Sequence, residues 1–121
     1  MSSNVLFSSV TYNKYDASET LPAKFGRMLD RMNLSAAVKD KWTIIKMHLG
    51  RNIGYSTIPP LFVKMLVDKL KQSGANVFIA DQDIQGAANR GYTESYFGVP
   101  VVYACGVTGK YYYEKSVDFK T

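Results

Sequence analysis

The stretch WTIIKMHLGRNIGYST, residues 42–57, sets Lys46 and the chain's single histidine, His48, two positions apart at the end of an apolar run. In a strand, residues two apart share a face about 7 Å from one another. An ammonium and an imidazole would then stand together, able to bind an anion and to move a proton. The following loop adds Arg51, Asn52 and Thr57 and leads into a helix that opens at Pro59 and Pro60. Exposed N–H groups and the positive end of a helix attract carboxylate or phosphate, and a guanidinium could clamp such an anion in bidentate fashion. The loop is not a phosphate-binding Gly–Lys–Ser/Thr loop, and no GxGxxG occurs.

Further along, ADQD ends a short apolar run with Asp81 and Asp83, and NRGYT supplies Arg90 and Tyr92. The two aspartates are candidates for a divalent-metal site, and Asp81 with His48 for acid–base chemistry. Arg90 and Tyr92 join Lys46, Arg51, Asn52 and Thr57 as candidate ligand-binding residues. Each also has a plainer reading. Lys46 can snorkel from an edge strand, aspartates often begin turns, and glycines near residues 50–57 can serve turn geometry alone. Cys105, within an apolar segment, reads as a small core residue and not as a nucleophile.

These residues meet only if particular elements carry them to one place. Thr20 is a suitable N-cap, and Leu21, Phe25, Met28, Leu29 and Met32 form a helical stripe opposite Lys24, Arg27, Asp30 and Arg31. A second helix follows the prolines, burying Phe62, Val63, Leu66, Val67 and Leu70 and closing at Gly74. NVFIAD, residues 76–81, reads as a strand buried on both faces. With residues 42–49 as the preceding strand, this makes a β–α–β crossover, which requires parallel strands. Ligands in such sheets bind beyond the carboxyl ends of the strands, where His48 and Asp81 would lie.

Three more strands are expected: residues 4–12, VPVVYACG at 99–106, and KYYYEKSVDF at 110–119, the last returning as an antiparallel edge. A single helical turn is expected near Thr93. Alternation along the second strand puts Thr43, Ile45, Met47 and Leu49 on one face and Trp42, Ile44, Lys46 and His48 on the other. The second face is expected to be buried at its start and open at its end. The fold class is therefore α/β: one domain over residues 1–121, with a mostly parallel four- or five-stranded sheet and two main helices. Two helices can cover only part of such a sheet, so a face is left for a partner or for more of a larger domain.

Composition narrows the function classes. A 121-residue chain supports one modest core. No run of eighteen uncharged apolar residues would span a membrane, and MSSNVLFSSV lacks the features of a secretory leader. One cysteine cannot supply an internal disulfide or an iron–sulfur cluster, and a reducing, cytoplasmic setting is expected. The net charge of +5 favours small anionic ligands mildly. The cations are dispersed without a basic tract, which does not point to nucleic acid.

In order, TIIKMHLG, STIPPLFVKMLVDKLKQSGANVFIADQD and RGYTESYFGVPVV resemble the front part of the bacterial and archaeal proteins grouped as domain of unknown function 362. The matched positions are Lys46, His48, Thr57, Asp81, Gly91 and Tyr92, with His48 where many relatives have asparagine. The resemblance implies a redox-associated setting, since many members carry a ferredoxin-like module with [4Fe–4S] clusters. Here the cluster would belong to an absent module or an iron–sulfur partner, and the chain would be the front portion of a larger domain. Without that implication, three readings stand: an anion-binding crevice, a non-catalytic docking module or homo-oligomer, and a divalent-metal enzyme using Asp81, Asp83 and His48.

Overall fold

The computed structural model describes residues 4–50, 54 and 56–117. Its centre is a three-stranded parallel sheet in the order β1 (Trp42–Lys46), β2 (Asn76–Asp81), β3 (Val101–Tyr103). Ile44 lies opposite Phe78 and Lys46 opposite Ala80, while Ala80 lies opposite Val102. The expected parallel crossover is therefore present, and β2 has the expected bounds. β1 stops three residues short of the expected end, after one further ladder bond from Met47 N to the Ala80 carbonyl (3.3 Å).

The helix between these strands, α3 (Pro60–Gln72), follows its sequence pattern. Val63, Val67 and Leu70 are buried against Val77 and Ile79. Gly74, at φ +87°, supplies the left-handed turn that returns the chain to β2. Ahead of β1 come α1 (Leu21–Arg31) and a short α2 (Leu34–Val38), the second lying where only a link was expected. Thr20 caps α1 by accepting from Ala23 N (3.4 Å), as its position suggested. α1 packs on α3 through the edge-on pair Phe25–Phe62 and the ion pair Lys69–Asp30 (2.5 Å). Near β3, Thr93 caps α4 (Glu94–Phe97), and Phe97 is fully buried.

Two expected strands do not form among the described residues. Residues 4–12 join no sheet. Two of their carbonyl groups find a different partner: Lys24 Nζ donates to the carbonyls of Ser9 (3.1 Å) and Thr11 (2.7 Å), lies 3.6 Å from Glu19 and sits over the Tyr12 ring. Lys24, expected on the wet face of α1, is thereby buried. Residues 110–117 likewise form no strand, 118 and 119 lying outside the described residues, and Tyr111, Tyr112 and Tyr113 are exposed. The expected antiparallel hairpin is replaced by local turns, with Tyr111 N donating to the Cys105 carbonyl (2.9 Å). β3 itself is three residues long where eight were expected, and buried Cys105 lies just past it.

The burial pattern shows how the layers are arranged. Side chains of Ile45, Val77, Ile79 and Val101 alternate onto the face that packs against α3 and the segment around Tyr92 and Phe97. The opposite face carries Trp42, Ile44, Phe78, Ala80 and Val102. Trp42 is 76% exposed, Ile44 57% and Val102 36%. The start of this face, expected to be buried, is open to solvent.

Candidate functional site

Parallel pairing brings the C-terminal ends of β1 and β2 to one rim. Asp81, at the end of β2, is almost wholly buried and sits at the centre of the rim. Its Oδ1 accepts from Lys46 Nζ (2.8 Å) and from Gln82 N (2.8 Å), and its Oδ2 accepts from Leu49 N (2.8 Å). His48 Nδ1 stands 3.8 Å from Oδ2. Lys46, His48 and Asp81 are therefore together, as the strand ends required.

Electrostatics assigns them different parts. Burial pushes the Asp81 carboxyl up. The bonds from Lys46, Leu49 N and Gln82 N, with the charge of Lys46, outweigh that and hold it below its ordinary value of 3.8. A carboxylate so fixed, with three donors on it, suits positioning and not proton transfer. It orients the ammonium and ties the first turn after β1 to the sheet. Lys46 keeps further donors free to point outward, and its side chain is 60% exposed; that of His48 is 73% exposed. Lys46, the last residue of β1, extends the open face that begins at Trp42.

Thr57, Arg90 and Tyr92 form a second cluster, turned inward. Arg90 Nη2 donates to the carbonyls of Leu49 and Gly50, the latter at 2.9 Å. The Tyr92 hydroxyl lies within bonding reach of Thr57 Oγ1 (2.7 Å) and of the Ile58 carbonyl, and its ring is buried beside Phe97. Thr57 Oγ1 also donates to the Gly54 carbonyl (2.9 Å). The cluster braces the segment between β1 and α3. We expect Tyr92→Phe to lower stability by about 1 kcal/mol, one hydrogen bond's net worth. A urea melt of the two proteins checks this, with an unchanged midpoint counting against the brace.

The helix terminus offers little to an anion. Thr57 does not cap α3: the N-cap is Pro59 and the first helical residue is Pro60, neither of which has an N–H to donate. Arg51 and Asn52 lie outside the described residues. Asp83 accepts from Gln85 N (2.9 Å), a local turn bond. Among the described residues no group of three or more His, Cys, Asp or Glu is arranged to hold a metal ion.

No family model, curated protein or solved structure matches this chain. Among the described residues no helix is long and apolar enough to cross a membrane.

Two features escaped the sequence reading. One is the inward turn of Arg90 and Tyr92, which has no sequence signal, because a loop residue's direction depends on what packs beneath it. The other is Lys24. Its position at i+3 from Leu21 and i−4 from Met28 places it beside the apolar stripe, and that spacing was a usable signal.

Proposed function

We propose that this domain is a binding module whose docking surface is the open sheet face, with Lys46 and His48 as its polar end. The observation that supports it most is the exposure of Trp42 and Ile44 on a parallel sheet. Sheets of this kind almost always have both faces covered, because crossover helices pack on each side. Here α3 covers one face, and the apolar row of Trp42, Ile44, Phe78 and Val102 awaits a second layer. The resemblance to domain 362 proteins points the same way, since it implies further α/β structure beside these strands.

Trp42 is the chain's only tryptophan, so its fluorescence reports on this face alone. In dilute protein, we expect acrylamide to quench it nearly as freely as a model peptide and an apolar dye to bind. Ile44→Glu should reduce dye binding several-fold with an unchanged circular dichroism spectrum. A shielded indole and no dye signal would remove the open face and the reading with it.

A second reading is small-anion binding at the rim, and the exposure of Lys46 and His48 favours it. Titration with phosphate and with a carboxylate should then shift amide resonances around residues 46–49. Shifts confined to other segments would end that reading.

A further inference from the structure

We infer that the layer covering the open face is a second copy of this chain, packed sheet on sheet about a two-fold axis. The inference rests on the docking reading above and names its occupant. Trp42 stands at one end of β1 and Lys46 at the other, with Ile44 between them. At about 3.3 Å per residue, the backbone positions of Trp42 and Lys46 are about 13 Å apart.

Consider a two-fold axis lying in the interface, perpendicular to the strands and passing beside Ile44 and Phe78, which are register partners. It sets Ile44 against the partner's Ile44 and Phe78 against the partner's Phe78. It also carries each Trp42 over the partner's Lys46, where the ammonium can sit on the indole face, the most favourable cation–π pairing. One patch thus supplies both halves of its own complement, which is what an isologous contact demands. The alternative axis, along the strands, brings the Lys46 ends of both copies to the same pole. That leaves each Trp42 over the partner's Trp42 end, with no ammonium to pair with.

The edge-on pair Trp42–Phe78, with centroids 6.1 Å apart, already fixes the aromatic end of the patch before any partner arrives. A face pre-ordered in this way loses less side-chain freedom on docking. Its extent also sets the strength. A few apolar side chains per copy bury on the order of several hundred Å², below the roughly 800 Å² per partner of a standard stable interface. The dimer is therefore expected at the weak, reversible end of protein association.

The test is sedimentation velocity on the full chain from roughly 5 to 500 μM, with Trp42 emission and acrylamide quenching read on the same samples. Expected is a shift from monomer to dimer with rising concentration, a blue shift of the indole and at least a threefold fall in quenching. Ile44→Glu should weaken association at least tenfold. If that variant fails to fold by circular dichroism, Val102→Glu on β3 carries the same expectation. A chain that stays monomeric at 500 μM with a freely quenched Trp42 overturns the second-copy inference and leaves the open docking face standing. A monomer whose Trp42 is shielded at every concentration overturns both. A dimer indifferent to the folded glutamate variants places the contact elsewhere and overturns the inference.

Discussion

Replacing Asp81 with alanine is expected to destabilise the fold by about 3 kcal/mol, lowering the melting temperature by roughly 10 °C. Most of that comes from the backbone. Leu49 N is buried and donates to Oδ2, and without the carboxylate it has lost its partner in a place where water cannot readily replace it. The ion pair with Lys46 contributes less, because the ammonium is largely exposed and screened. Asp81→Asn should fall between the two proteins, at about 1–2 kcal/mol, since it keeps an acceptor and loses the charge.

The same site predicts a pH dependence with a definite sign. The folded-state value of Asp81 lies below its ordinary 3.8, so below that value the unfolded chain binds the proton more readily than the folded one. The contribution of Asp81 to stability is complete above the ordinary value. It is lost as pH falls through the lowered folded one. Urea midpoints between about pH 2 and 7 should show an acid limb in the natural chain that is shallower in Asp81→Asn. Limbs of equal slope would mean that the carboxylate is not held as the geometry requires. His48, 3.8 Å from the same carboxylate, gives an internal check: His48→Gln should leave most of the acid limb in place.

How much of this was legible from the residues differs by element. α3 and β2 were legible almost to the residue, because an apolar stripe of helical period ends at a glycine and an apolar run ends at an aspartate. Each level of the signal agrees with the next there. The parallel crossover followed from chain length between the strands, and with it the meeting of Lys46, His48 and Asp81. The tails were not legible. Val5 and Phe7, and the three tyrosines from Tyr111, have strand composition, but such composition describes what fits a half-buried sheet and cannot create a neighbouring strand. The carbonyl groups of Ser9 and Thr11 went to Lys24 instead. Nor could an apolar face be told buried from open. Trp42 and Ile44 alternate as core residues would, and which side α3 occupies is decided by the crossover, not by β1.

The rim and the brace meet at Leu49 and Gly50, and this junction carries the second large effect. Gly50 has φ +69°, a region that costs a residue with a Cβ about 1–2 kcal/mol. A Cβ there would also stand 2.7 Å from Gly54 Cα, 3.1 Å from Arg90 Nη2 and 3.2 Å from Thr57 Cγ2. The closest of these is backbone, held on its own side by the Thr57 bond to the Gly54 carbonyl, so it cannot swing aside as a side-chain tip would. Gly50→Ala is therefore expected to cost about 3 kcal/mol or more. Gly74→Ala separates the two contributions. It also has positive φ, at +87°, but its Cβ would first meet the flexible Lys39 Cγ at 3.2 Å, and a loss of about 1 kcal/mol is expected. Equal losses at both positions would mean that conformational preference alone is at work and that the close crossing of Gly50 and Gly54 is not needed. A larger loss at Gly50 should bring a second sign. Pushing the segment outward draws Leu49 N away from Asp81, so the acid limb of Gly50→Ala should flatten toward that of Asp81→Asn, although the substituted residue carries no charge and does not touch the carboxylate.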